Sequence, residues 1–197
     1  MSDAASNMPD IVESIRRDHA GARTLLDRYD VAGDREDWFC HVRQTLVRHE
    51  VAEEVAVYPA IRHSGNPLKE VIDSRLGEQR QAEKLLAAME KMDLDGQEFD
   101  KAFIELKAAV LEHAASEEST ILPAIDAQKS VEQRRMMGER YERAKAAAPT
   151  HPHPHAPNTP PGNLVLGPVA ALADRIRDAA RNDDDQSDMG ADAQVGA

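Results

Sequence analysis

Apolar residues recur every three or four positions through most of residues 10–148, with few interruptions. Val12, Ile15, Ala22 and Leu26 share a face of a helix expected over about 10–29, which opens behind Pro9 with Asp10 and Glu13 spaced as in a capping box. Phe39, Val42, Leu46, Ala56, Val57 and Ala60 do the same over about 34–62, where Tyr58-Pro59 is expected to kink the helix near its end. A third stripe runs through Ile72, Leu76, Ala82, Leu86 and Met89 over about 69–91. A fourth, over about 98–127, carries Phe103, Leu106, Val110, Ile121 and Ala124. Glycine and proline cluster between stripes, as in "SGNP" (64–67) and "DLDG" (93–96). Four amphipathic helices with short connections predict an all-α, antiparallel up-down four-helix bundle.

After the bundle the pattern changes. A charged, Ala-rich segment at about 130–148 predicts a fifth helix that leaves or flanks the bundle, so the domain is taken as 10–148. Residues 149–163 hold six prolines in fifteen positions, the composition of a Pro/His-rich linker or surface wrap. Within 164–182, Val169, Leu172, Ala173, Ile176 and Ala180 form a stripe that predicts a short amphipathic helix. The acidic 183–197 stretch is expected to be disordered.

Composition narrows the functional classes. A net charge of -12 argues against a basic nucleic-acid footprint and against anionic membranes, so neither is expected as a partner. No apolar run approaches the roughly 20 residues of a membrane span. A single cysteine, Cys40, excludes an intrachain disulfide, and "MSDAASNMPD" lacks the features of a signal peptide. Cytoplasmic location is the expectation.

The chemistry lies where ionisable groups interrupt the apolar faces. At about 100° per residue, His19 falls mid-stripe on the first helix, between Ile15 and Ala22. His49 and Glu53 stack one turn apart on the stripe of the second helix, and His113 and Glu117 repeat that spacing on the fourth. Glu54 and Glu118 project away. One His-x-x-x-Glu pair alone is usually an exposed side-chain pair. Two, facing one interior with a third histidine, place carboxylates where burial is costly unless a cation accompanies them. Mixed imidazole and carboxylate donors suit iron or manganese better than calcium or structural zinc. More than four candidate ligands suggests two metals, with Glu53 and Glu117 bridging.

These segments, "RRDHAGARTLL" (16–26), "RHEVAEEVAVYPAI" (48–61) and "LEHAASEESTILPAI" (111–125), resemble the motifs of the hemerythrin-like HHE cation-binding family, in a bacterial branch of it. The resemblance implies a four-helix bundle with a non-haem di-iron centre, two irons in the chain, able to bind dioxygen. Carried over, it makes His19, His49, Glu53, His113 and Glu117 ligands. It adds Glu50, since some members with His-Glu-x-x-Glu use that carboxylate. The third helix departs from the family's Glu-His with Glu78-Gln79. Gln79 lies near the stripe centre, flanked by Glu78 and Glu83; either glutamate could swing inward, or Gln79 could accept a hydrogen bond or offer its carbonyl oxygen, with Glu78 the favoured replacement ligand. Tyr58, projected to the far side of its helix, is expected to pack rather than to join the site.

The functional expectation is a metal-binding protein that senses or buffers dioxygen, peroxide, nitric oxide or iron. Two alternatives stand beside it: a weak iron-dependent peroxidase, catalase-like or oxidase enzyme, and a metal-responsive interaction protein whose helix at 168–181 docks or is released.

Overall fold

The computed structural model describes residues 9–31, 33–62 and 66–153; the expected helix at 164–182, the acidic tail and most of the linker lie outside them. The helices are α1 (Ile11–Leu26), α2 (Arg35–Ala56), α3 (Tyr58–Ile61), α4 (Lys69–Met89), α5 (Gln97–Ser116), α6 (Leu122–Gln128) and α7 (Val131–Ala147). A π-helical turn, Glu117–Ile121, joins α5 to α6. Among the described residues there is no strand, and no helix is long and apolar enough to cross a membrane.

Helix ends follow local chemistry. Asp10 accepts a hydrogen bond from the Val12 backbone N–H, and Asp34 from Asp37, satisfying donors that a first turn leaves unpaired. Ser130 and Gln133 form a reciprocal capping box at the start of α7. Both His-x-x-x-Glu pairs are followed by the same downstream pattern, a second glutamate and then Pro-Ala-Ile ending at Ile61 and Ile125. A proline has no N–H and its ring crowds the carbonyl four residues back. Ahead of Pro59 the helix breaks at Val57; ahead of Pro123 the ladder widens, so the Leu122 N–H reaches five residues back to Glu117.

The core is two apolar clusters with a polar layer between them. One contains Ile11, Ile15, Ala56, Ile61, Ile72, Leu76, Leu122 and Ile125; the other contains Leu26, Phe39, Leu46, Leu86, Met89, Phe99, Phe103 and Leu106. Chain direction follows from these memberships. α1 runs from the first cluster to the second, α2 returns, α4 goes out again and α5 returns, which is the up-down-up-down bundle. Each helix gives its mid-stripe position to the intervening layer: His19, then His49 and Glu53, then Gln79, then His113 and Glu117.

The fifth helix flanks the bundle rather than leaving it. α7 packs on α1 and α2, and its Tyr141 is fully buried in the first cluster. The approach is close at Gly138, where a Cβ would come within 2.0 Å of the Pro9 carbonyl oxygen. Arg134 Nε donates to Asp10 at 2.7 Å beside that contact. The first residues after α7 stay on the bundle: Arg43 Nε donates to the Thr150 carbonyl at 3.0 Å, and His151 Nδ1 lies 2.5 Å from Glu90.

Candidate metal centre

In the polar layer, His19 Nε2 lies 3.4 Å from Glu117 Oε2, and His49 Nε2 lies 3.1 Å from Glu53 Oε1. His113 Nε2 is 3.5 Å from an oxygen of each carboxylate. One donor atom from each of His19, His49, Glu53 and Glu117 fits within 4.8 Å of the other three. All four side chains are buried, with both glutamates at 1% exposure or less.

The unsatisfied atoms test whether a cation fits. His19 Nε2, His49 Nε2, His113 Nε2, Glu53 Oε1 and Glu117 Oε2 are all buried without a hydrogen-bond partner. Buried polar atoms are normally paired, and here five unpaired ones gather in one layer. Partners on the other side of two rings fix which nitrogen carries the proton. His19 Nδ1 is 2.9 Å from Glu118 Oε1, which also takes Arg23 at 2.9 Å. His49 Nδ1 is 2.6 Å from the Tyr141 hydroxyl, whose own proton goes to Asp18 Oδ2 at 2.9 Å, with Lys145 on the same oxygen at 2.6 Å. With Nδ1 donating outward, each ring turns an Nε2 lone pair inward, the tautomer that ligates metal. The donor set therefore fits a divalent or trivalent cation.

Protons compete for the same positions. Burial works against a charged His113, yet the adjoining Glu117 and Glu53 carboxylates outweigh it and hold its pKa well above the ordinary imidazole value. His19 is raised in the same way, against its burial, chiefly by the facing Glu117 carboxylate. Burial opposes ionisation of Glu117, but the facing imidazoles hold its pKa well below the usual carboxylate range.

Tyr58 and Gln79 close one side of the layer. The Tyr58 hydroxyl donates to Glu117 Oε1 at 2.8 Å and lies 3.2 Å from Glu53 Oε2. Gln79 Nε2 donates to Glu53 Oε2 at 2.8 Å and sits 3.0 Å from the Tyr58 oxygen, while its carbonyl Oε1 is buried without a partner. A cavity of about 40 Å³ adjoins the layer, bordered by His19, His49, Glu50, Gln79 and His113 and by Leu46 and Val110. It has room for one or two water-sized molecules.

The structure thus brings together His19, His49, Glu53, His113 and Glu117. Glu50 stands beside them, buried, with Oε2 unpartnered; burial and the nearby Glu83 push its pKa well above the usual range. Glu78 is not in the group. Its carboxylate is 42% exposed, 2.7 Å from Arg75 and within reach of Ser74. The stripe position belongs to Gln79, one residue on, and a shift of one residue turns a side chain by about 100°.

Three further positions differ from the sequence reading. Tyr58 joins the site because the break at Val57 re-phases the chain, so a projection through a continuous helix points it the wrong way. Glu118 meets His19 because it stands in the π turn, where 3.6-residue phasing no longer holds. Glu54 is buried rather than solvated. Tyr141 and Asp18 were not anticipated at all; the signal available for Tyr141 was its place beside Met137 and Gly138 on the one buried face of α7.

This donor layer in a four-helix bundle defines a cation-binding helical protein. The family model for the hemerythrin HHE cation binding domain matches residues 10–125, and the chain belongs to that family. An uncharacterized hemerythrin-like protein of Schizosaccharomyces pombe is 31% identical over 87% of this chain and 86% of its own length. A DNA nickase of Nostoc is 27% identical over 69% of this chain but only 39% of its own length. No solved structure matches the chain. Family and cluster together point to a metal-cation site; Tyr141 lies beyond the matched segment.

Proposed function

We propose that this chain is a non-haem iron protein, with up to two irons sharing Glu53 and Glu117, that senses or buffers dioxygen, peroxide or nitric oxide in the cytoplasm. The observation that carries the reading is the convergence of five buried, unpartnered nitrogen and oxygen atoms from three helices. His19, His49, Glu53 and Glu117 would hold one iron; His113 and Glu50, with the shared carboxylates, would hold the other. Iron held this way supplies an open coordination position and a change of oxidation state.

The protein's own groups shape what can reach it. The small cavity beside His49 and His113 has room for a molecule of about two or three heavy atoms. The Tyr58 hydroxyl keeps a proton at the edge of the layer, because burial and the adjoining Glu117 and Glu53 carboxylates raise its pKa well above the ordinary phenol value. That hydroxyl, set against Glu117 and Glu53, favours a second reading, slow peroxide decomposition at the same centre, since such a reaction uses a nearby group that lends a proton and recovers it.

Anaerobic loading of the full chain with ferrous iron, followed by metal analysis and absorption spectra with and without azide, tests the reading. The expected result is about one to two irons in each chain and an azide-sensitive band, both lost in Glu53→Ala. Retention well below about one equivalent would end it. Multiple turnovers of peroxide, lost in Glu53→Ala, would select the second reading over the first.

A further inference from the structure

On the outer face of α1 and α2, where the end of α7 approaches, lies a groove of about 770 Å³, well apart in size from the small cavity at the centre. Arg17, Arg28, Arg48 and Lys145 line it, against Asp18 as its single acidic residue. This is unexpected on a chain of net charge -12, where a random face would be acidic. Concentrated positive charge in a concave site focuses the field and draws anions.

The cations are not all spoken for. Arg17 pairs with Glu142 at 2.5 Å, and Lys145 pairs with Asp18 at 2.6 Å. Among the described residues, Arg28 and Arg48 have no ion-pair or side-chain hydrogen-bond partner. Arg48 Nε is buried as well as unpartnered, so part of its guanidinium has left water without a replacement acceptor. The α1 wall of the groove is open at Gly21, where an added Cβ would meet nothing within 4 Å. Guanidinium groups present paired N–H donors whose geometry suits phosphate and carboxylate oxygens. The volume lies in the range of small-molecule sites.

We infer that this groove binds a small polyanion, a metabolite carrying two or more phosphate or carboxylate groups, through Arg28 and Arg48 with Arg17 and Lys145 at its edge. Its acidic member is Asp18, which also takes the Tyr141 hydrogen bond behind His49, so the ligand would sit next to the metal centre without entering it. The site goes beyond the iron reading and does not depend on which metal is bound.

The test is calorimetric titration of the metal-loaded full chain with fructose 1,6-bisphosphate and, separately, tricarballylate, with metal content checked afterwards. Saturable binding of either is expected, weakening as salt is raised, and the stronger of the two identifies the anionic group. Arg28→Ala and Arg48→Ala should each weaken it about tenfold, with iron content and melting temperature retained; Arg28→Lys should recover part of the loss. Absence of saturable binding at low salt, or affinity in both alanine variants equal to that of the parent chain, would overturn the proposal. So would tighter capture of a single-stranded oligonucleotide than of either small anion. Loss of iron with anion binding intact would count against the iron reading alone.

Discussion

The two sides of the polar layer are built differently. On the His19 and His49 side, each imidazole is gripped from behind: Glu118 and Arg23 stand behind the first, and Tyr141, Asp18 and Lys145 behind the second. On the His113 and Gln79 side, no Nδ1 hydrogen bond fixes His113 among the described residues, and the Gln79 carbonyl is unpartnered. The first side holds its nitrogens in the ligating tautomer before any metal arrives. The second depends on a metal, or a proton, to complete it. Preorganisation of this kind separates a site that selects its cation from one that merely tolerates it.

Tyr141→Phe is the strongest way to break that contrast. It removes the group behind His49 while leaving the buried ring in place, and losing such a partner typically costs metal affinity 10–100-fold, an order-of-magnitude expectation for chelator competition here. Heteronuclear NMR of the metal-free chain should show His49 moving toward a mixture of tautomers, which a purely structural change would not produce. Glu118→Gln should do less at His19, because the amide oxygen can still accept from Nδ1. An unchanged affinity in Tyr141→Phe would mean that α7 supports the fold and not the centre.

Much of this arrangement was legible in the chain, and the part that was not has a definite cause. His19, His49, Glu53 and His113 stand in regular helix on apolar stripes and Glu117 opens the π turn directly after α5, before the phase has drifted, so 100° phasing brings all five to one layer. Phasing fails where proline disturbs the ladder, and Tyr58 and Glu118 both stand between a ligand-type glutamate and the proline that follows it. Asp18 and Tyr141 depend on which helix lands behind α1 and α2, which periodicity does not encode. The bundle itself was readable because apolar residues recur at helical spacing along α1, α2, α4 and α5.

The less preorganised side should show itself in pH dependence. In the metal-free chain His113 is raised above its ordinary value of 6.5, so the stability it contributes is complete below that value and is lost as pH climbs through the raised one. Glu117 is depressed below 4.5, so its contribution is complete above that value and is lost as pH falls through the depressed one. Glu50, raised by burial, is a further penalty that grows as pH rises from 4.5. Metal-free melting temperature should therefore peak between the two ordinary values and decline on both flanks. Metal binding must expel the His113 proton, so affinity should rise with pH in that range by up to about tenfold per unit for each proton displaced. A metal-free melting temperature that climbs steadily through neutral pH would show that His113 is not held charged by the two glutamates.

The smallest expected effect is the most discriminating for the half-built side. Glu78 and Glu50 both border the small cavity, but one is paired with Arg75 in partial contact with water and the other is buried with an oxygen unpartnered. An exposed pair such as Glu78 with Arg75 contributes about 1 kcal/mol or less to stability. Glu78→Gln should leave both iron content and melting temperature close to those of the parent chain, whereas Glu50→Gln should lower iron occupancy on the His113 side while raising metal-free stability, since it removes a buried carboxylate that burial keeps from ionising. If Glu78→Gln instead lost iron and Glu50→Gln kept it, α4 would have to turn Glu78 inward on loading. The substitution of glutamine at Gln79 would then be compensated from its own helix, and not from the residue after His49.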